Sequence, residues 1–424
     1  MFDNIESLLP QNDLVNGSGK LKVISIGDNE QSLDELNSLL ETLGVVSIGR
    51  VFAVLRKINP ATYIGKGKLT ELSEMAVRLG AGAVVVDAEL SPKQLANLEK
   101  SVGKPALDRP GVIIEIFSRH ARTREAKNQV ALARLQYLMP RLAHFWTHFE
   151  RQDGGSTGSR GMGEKQIEVD RRLIKRQIHI LNGRLKNIEC ERKIQRTNRK
   201  GILKVALVGY TNAGKSTLLN ALTNSNVNAE DKLFATLDAS VRALDPHSHP
   251  PVVAIDTVGF ISRLPPSLIA SFRSTLEELV ESDLLVHVVD VSSPYAKQQF
   301  ETTETILKDL NVGAKPRMVV LNKADLLTGA NTRNWSKLIC PGAMAISALD
   351  KADVSKLRET ILSHFRCKME SWEILLPYSE SKIESQLFVY GNVEVNRHMD
   401  KGTFYRVRIE ERWARKLGLE KFKL

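Results

Sequence analysis

GYTNAGKST at residues 209–217 follows the apolar run KVALVG (204–209) and leads into STLLNALT (216–223). A buried strand, a glycine-bearing turn and a helix are the parts of G-x-x-x-x-G-K-[ST], a loop that cradles phosphates. Gly209 and Gly214 let the chain turn, so that Tyr210, Thr211, Asn212, Ala213 and Thr217 complete a backbone cradle. Lys215 is placed to reach the β- and γ-phosphates, and the Ser216 hydroxyl to bind Mg²⁺.

Three pieces follow in the order such a site needs. LFATLDAS (233–240) carries Phe234, Ala235 and Thr236 about twenty residues after the loop. A threonine there can put its hydroxyl on Mg²⁺ and its N–H on the γ-phosphate. VVAIDTVGF (252–260) reads as a buried strand ending in Asp256, Thr257, Val258 and Gly259. Asp256 suits Mg²⁺ through water, and the Gly259 N–H suits the γ-phosphate. Lys215, Thr236 and Gly259 are therefore the expected catalytic groups, and Ser216, Thr236 and Asp256 the metal-binding ones.

RMVVLNKADLL (317–327) is a second buried strand, ending in Asn322, Lys323 and Asp325. Asp325 can accept two hydrogen bonds from guanine N1–H and N2, donors adenine lacks, and an unpaired buried group makes the wrong base costly. Asn322 braces the loop and the Lys323 stem packs along the base. In AISALD (345–350), Ser347 and Ala348 offer a backbone N–H to guanine O6. GTP is the expected nucleotide. After DTVG, where many such sites keep a water-orienting glutamine, this chain has Phe260. A phenyl ring cannot polarise water, so slow intrinsic hydrolysis, stimulated by a partner, is expected. A packing role for Phe260 is compatible with this.

Outward from this core, 424 residues are too many for one compact core. Residues 1–20 read as a flexible tail and 21–118 as an α/β subdomain. KVISIG (22–27), VVSIGRVFAVL (45–55), AVVVDA (83–88) and VIIEIF (112–117) read as strands. LDELNSLLETLG (33–44), LTELSEMAVRLGA (69–81) and SPKQLANLEKSVG (91–103) read as the helices between them, the last with Ser91 as N-cap. That alternation implies a mainly parallel sheet.

Residues 119–199 read as an antiparallel helical hairpin. Ala131, Leu135, Leu138, Leu142, Phe145 and Phe149 form one heptad seam, interrupted by Pro140, and Ile174, Ile178, Leu181, Leu185 and Ile188 form the second. GGSTGSRGMGE (154–164) is the expected tip. The P-loop domain spans 200–367. A small α+β domain over 368–424 has a helix at 382–391 and a hairpin turning near Asp400 and Gly402. The fold class is thus α/β: a P-loop GTPase domain between an N-terminal α/β nucleotide-binding-like domain with its helical hairpin and a small C-terminal domain.

The net charge is +11, and residues 151–200 hold 14 Lys or Arg against 6 Asp or Glu, or +8. Such an excess favours a polyanionic partner over a merely solvated helix face, because each cation meeting a phosphate releases counterions. Arg151, Arg160, Lys165, Arg171 and Arg172 are the candidate RNA contacts. Cys190, Cys340 and Cys367 are too few and too scattered for a disulfide framework or zinc site. No membrane span and no signal peptide is read, so a cytoplasmic protein, monomeric in solution, is expected.

With GYTNAGKSTL, LFATLD, DTVGFI and NKAD in order, the chain resembles the HflX-type ribosome-associated GTPases. YIGKGKLTEL (63–72), LSPKQLANLE (90–99), VIIEIFSRHARTREAKNQVALARLQYL (112–138) and the glycine-rich loop ahead of IEVDRR (167–172) extend the resemblance from about residue 20 onward. The resemblance implies a cytoplasmic GTPase that docks on the large (50S) ribosomal subunit and its rRNA. It would split or rescue stalled ribosomes under stress, the hairpin tip reaching toward the peptidyl-transferase region. The loop departs from the family's usual G-G-x-G-x-R-G-P-G-E-T, being one residue longer with Met162 and Lys165 in place of Pro and Thr. The family's N-terminal ATP-dependent RNA remodelling rests on no clear motif here, YIGKGK reading first as a turn. Two alternatives stand beside splitting: a GTPase of large-subunit assembly or RNA processing, and a regulatory protein whose heptad helices bind a protein partner.

Overall fold

The computed structural model describes residues 21–53, 58–142, 160–197, 201–223, 234, 240–245, 248–263, 278–327 and 340–424, with backbone alone at 160–166, 193 and 195–197. By its contacts the chain divides into two units. The first takes residues 1–189 together with the short pieces 232–237 and 263–273, and the second takes the rest.

The first unit runs β1 (Lys22–Gly27), α1 (Glu30–Thr42), β2 (Val46–Phe52), α2 (Lys66–Arg78), β3 (Ala83–Val86), α3 (Pro92–Val102), β4 (Ala106–Asp108), α4 (Arg109–His120), α5 (Arg124–Leu138) and α6 (Arg160–Thr197) as far as residue 189, the rest of α6 counting with the second unit. Its four strands are parallel in the order β2-β1-β3-β4. All four residues of β3 are buried, which is why its sequence is a continuous apolar run. Local chemistry sets the helix starts. The Asn29 side chain accepts the Ser32 N–H at 2.8 Å, and Ser91 and Gln94 form a reciprocal capping box.

One element differs in kind from its reading. VIIEIF is not a strand but the middle of α4, and the fourth strand is the three-residue β4 before it. Asp108 caps α4 by accepting the Gly111 N–H at 3.1 Å, and Pro110 fits the first turn. Val112, Ile113, Ile114, Ile116 and Phe117 are all buried, and a helix buried on every side loses its 3.6-residue signature. The glycine-rich stretch differs as well. Residues 160–164 already belong to the 38-residue α6, while 154–159 and the turn of the expected hairpin fall outside the described residues. Along α5 the buried face is Val130, Ala133 and Leu138, with Ala131 and Leu135 half-buried; Pro140 sits in a 3-10 turn, Met139–Arg141, that ends the regular helix. Ile174 and Leu181 are buried along α6.

The second unit contains β5 (Leu203–Gly209), α7 (Lys215–Thr223), β6 (Ser240–Asp245), β7 (Val252–Asp256), β8 (Leu284–Asp290), α8 (Ala296–Asp309), β9 (Arg317–Asn322), β10 (Met344–Ala345) and α9 (Lys351–Arg366). The strand order is β10-β9-β8-β5-β7-β6, parallel except for β6 against β7. Val205, Leu207, Val286, Val288 and Val320 are fully buried in its core. Beyond it come β11 (Met369–Leu376), α10 (Ser381–Tyr390), β12 (Gly391–Met399), β13 (Gly402–Glu410) and α11 (Glu411–Leu417). Their antiparallel sheet, ordered β11-β13-β12, is packed around Ile374, Leu387, Tyr405, Val407 and Ile409. Among the described residues no helix is long and apolar enough to cross a membrane.

Candidate functional site

In an open parallel sheet, ligands bind at the carboxyl ends of the strands. The register puts Leu207 of β5 beside Asp256, Gly209 beside Val288 and Asp290 of β8 beside Asn322. The phosphate loop, DTVG and NKAD therefore emerge along one edge.

At that edge the phosphate loop is held from several sides. Gly214 has φ +85°, and a Cβ on it would stand 2.3 Å from Asn322 Nδ2. Glycine is required there for both conformation and space. Asn322, itself buried, donates from Nδ2 to the Ala213 carbonyl at 2.9 Å and accepts the Ala348 N–H on Oδ1 at 3.0 Å. One side chain thus ties the phosphate loop, NKAD and the Ser347-Ala348 turn together. The Ala348 N–H, read as a guanine O6 donor, is directed here at Asn322. The Ser347 N–H donates to Asp353 Oδ2 at 2.9 Å.

DTVGF is clamped to the loop by main chain. The Phe260 N–H donates to the Gly209 carbonyl at 3.1 Å, and the Thr211 N–H donates to the Phe260 carbonyl at 2.7 Å. The Ser262 N–H donates to Tyr210 Oη at 2.7 Å. The Phe260 ring is buried, which fits the packing role. Gly259 approaches so closely that a Cβ would lie 2.8 Å from Thr211 Cγ2 and 3.0 Å from Lys215 Nζ. That leaves a bare backbone beside the ammonium.

Lys215 Nζ donates to the carbonyls of Tyr210 at 2.7 Å and Gly209 at 3.2 Å. Burial pushes its ammonium down to about 8, with Asp256 opposing. The Ser216 hydroxyl donates to Asp256 Oδ2 at 2.6 Å. These two oxygen donors, a hydroxyl and a carboxylate in hydrogen-bond contact, fit Mg²⁺, which takes hard oxygen ligands and keeps several waters.

The remaining candidates are more dispersed. Thr257 is wholly buried and its hydroxyl donates to the Leu207 carbonyl at 2.7 Å, which is a structural use. Val258 is buried and Asp325 exposed. Lys323 adopts φ +62°, and its Nζ lies 2.7 Å from Asp290 Oδ2. Sequence reasoning named Tyr210 for its backbone but not its phenol, and missed Asp290 and Asp353 as neighbours of Lys323 and Ser347; the signal for Asp290 was an aspartate ending the apolar run LLVHVVD (284–290). The buried ring of Phe234 meets Phe117 edge-on in the first unit, 4.7 Å between centroids. Ala235 and Thr236 lie outside the described residues, as does Arg151. Arg160 and Lys165 are on the α6 backbone, and Arg171 and Arg172 are exposed further along it.

Known proteins converge on this site. Residues 30–118 match the family described as "GTP-binding GTPase N-terminal", 120–199 "GTP-binding GTPase Middle Region" and 204–323 "50S ribosome-binding GTPase". The chain is 39% identical over 416 residues to GTPase HflX of Gluconacetobacter diazotrophicus, covering 90% of this chain and 91% of that protein. It is 36% identical over 367 residues to GTPase HflX of Escherichia coli, covering 86% of each. A GTP-binding protein of Sulfolobus solfataricus in complex with GDP aligns with TM-score 0.43 and 24% identity, covering 81% of this chain and all of that one.

Proposed function

This chain belongs to the HflX family of GTPases, and from that premise we propose that it is a GTP-switched factor acting on the large ribosomal subunit. GTP hydrolysis is the family's chemistry; the target and its consequence are our reading. The observation that carries it is the pairing of a domain matching the 50S ribosome-binding GTPases with a strongly basic stretch at 151–200 that includes the exposed Arg171 and Arg172. Binding to rRNA phosphates through that stretch would be electrostatic and salt-dependent.

In the proposed site, Lys215 holds the β- and γ-phosphates and the Gly259 N–H meets the γ-phosphate. Ser216, Asp256 and Thr236 hold Mg²⁺, which neutralises phosphate charge when bound. Asp325 reads guanine and Asn322 keeps the base-reading and phosphate loops in register. No side chain of DTVGF orients a water, so hydrolysis waits for the ribosome. GTP then favours the ribosome-bound arrangement of the segments around Thr236 and Gly259, and hydrolysis releases them. Splitting of stalled ribosomes in the cytoplasm is the activity this supports best. The working organisation is a tail to 20, an α/β subdomain to 118, the hairpin to 199, the GTPase domain to 367 and the C-terminal domain beyond.

Pelleting purified 50S subunits with the full chain tests the target. Co-pelleting with a non-hydrolysable GTP analogue, weaker with GDP and absent at high salt, supports it. Equal recovery with 30S subunits contradicts it.

A further inference from the structure

Thr211, the third residue of GYTNAGKST, is only 6% exposed, and its side-chain oxygen has no hydrogen-bond partner among the described residues. The neighbouring hydroxyls are engaged. Ser216 donates to Asp256, Thr257 donates to the Leu207 carbonyl, and Tyr210 Oη accepts the Ser262 N–H. A hydroxyl withdrawn from water and left unpaired costs free energy, and a bound ligand that offers it a partner removes that cost.

The position of Thr211 identifies the ligand. Its N–H donates to the Phe260 carbonyl at 2.7 Å, and the Phe260 N–H donates to the Gly209 carbonyl at 3.1 Å, so Thr211 is pinned against DTVGF. A Cβ placed on Gly259 would lie 2.8 Å from Thr211 Cγ2, 2.9 Å from Thr211 Cα and 3.0 Å from Lys215 Nζ. The threonine, the bare Gly259 backbone and the ammonium therefore converge on one small space. Thr211 Oγ1 and Cγ2 share a Cβ with few staggered positions, which confines the hydroxyl to the same corner. In the proposed site the γ-phosphate lies between Lys215 Nζ and the Gly259 N–H. Gly259 serves that phosphate alone and marks its outer side, where a water attacking in line must stand.

We infer, building on the nucleotide site proposed above, that the Thr211 hydroxyl is a catalytic group of GTP hydrolysis. It holds the attacking water against the γ-phosphate where DTVGF offers no glutamine. A hydroxyl has one donor and two lone pairs, so it accepts from the water while donating to a γ-phosphate oxygen. The water oxygen bonds to the γ-phosphorus as the bond from phosphorus to the β–γ bridging oxygen breaks. GDP leaves with that electron pair, one water proton passes to a γ-phosphate oxygen, and Thr211 ends as it began. Nucleotide entry draws Lys215 from the Tyr210 and Gly209 carbonyls to the phosphates, which uncovers the corner for water. A neutral hydroxyl aligns water without polarising it strongly, in keeping with slow turnover before a partner binds.

The test compares the full chain with Thr211→Val, which removes the hydroxyl at similar shape, and Thr211→Ser, which keeps it. Single-turnover GTP hydrolysis, affinity for GDP and for a non-hydrolysable GTP analogue, and thermal unfolding without nucleotide are read for each. Thr211→Val is expected to slow hydrolysis roughly a hundredfold, as for one oriented hydrogen bond lost from a transition state, with both affinities little changed. It should unfold no more easily than the wild type, because the hydroxyl has no partner to lose. Thr211→Ser should recover most of the lost rate. Wild-type hydrolysis in Thr211→Val, or an equal loss in Thr211→Ser, overturns the inference. So does a rate that falls only as far as analogue affinity falls, or a Thr211→Val protein that melts well below the wild type. Lys215→Ala reports separately on the nucleotide site: turnover retained there refutes that site and not the role of Thr211 alone.

Discussion

Asn322 Nδ2 donates to the Ala213 carbonyl at 2.9 Å, so the residue that opens NKAD also fastens the phosphate loop. Its Oδ1 accepts from Ala348, and the side chain is buried. Removing it leaves the Ala213 carbonyl and the Ala348 N–H without their partner. Asn322→Ala is expected to cost about 1–3 kcal/mol of stability, as for a buried polar group left unsatisfied. It should weaken GDP and GTP alike, since the damage is to loop geometry and not to one phosphate. Thermal unfolding with fluorescent-GDP titration checks this; wild-type affinity for both nucleotides would refute the brace.

Asp325 is exposed on the segment after β9, open to a ligand rather than committed to the core. If it reads guanine through N1–H and N2, Asp325→Asn removes an ionic acceptor worth roughly 1.5–3 kcal/mol per bond. GTP affinity should fall while affinity for xanthosine triphosphate rises, because the amide can donate to the xanthine C2 carbonyl. Competition titrations decide it, and an unchanged preference for guanine would remove Asp325 from base recognition.

The buried ring of Phe260 changes what its replacement should do. A glutamine there would place an amide in an apolar setting instead of beside the γ-phosphate. Phe260→Gln is therefore expected to destabilise the protein, by about 2–5 kcal/mol for a large core truncation combined with polar burial. It should leave intrinsic hydrolysis slow. Faster turnover in a stable Phe260→Gln protein would show that the position does face the reacting water.

Lys215 carries a pH signature. Its ordinary value is near 10.5 and burial lowers it to about 8. Between those values the unfolded chain holds the proton and the folded one does not. The unliganded protein therefore gains stability from this group as pH rises from about 8 to 10.5, and loses it as pH falls back. A bound diphosphate restores the charge, so GDP binding near pH 8.5 should take up a large fraction of a proton, and near pH 7 almost none. Calorimetry in buffers of different ionisation enthalpy measures this directly. Equal proton uptake at both pH values would mean that Lys215 is already charged in the free protein.

Much of this was legible in the residues because it is local. KVALVG, VVAIDTVGF and RMVVLNKADLL each pair an apolar strand with a loop whose residue types are imposed by phosphate or base, and such loops sit at strand ends in order. What was not legible depends on partners far away in sequence. VIIEIF read as a strand because α4 is buried all round, and only the Asp108 cap and Pro110 hint otherwise. The contact of the Phe234 ring with Phe117 joins residues 117 positions apart and no local pattern announces it. Asp290 lacked meaning until β8 and β9 lay side by side and brought it to Lys323. Arg263 belongs to no motif, and its partners are two aspartates 235 and 176 residues away.

GTP-bound protein is expected to act on the assembled ribosome. Sucrose-gradient sedimentation of purified 70S ribosomes with the full chain and a non-hydrolysable GTP analogue tests it most directly, with Lys215→Ala alongside. The expected outcome is free 30S and 50S subunits, the protein travelling with 50S, and intact 70S with Lys215→Ala. Intact 70S with the wild-type chain bound to 50S alone would place the protein in subunit assembly instead. Equal splitting by Lys215→Ala would contradict the GTP switch itself.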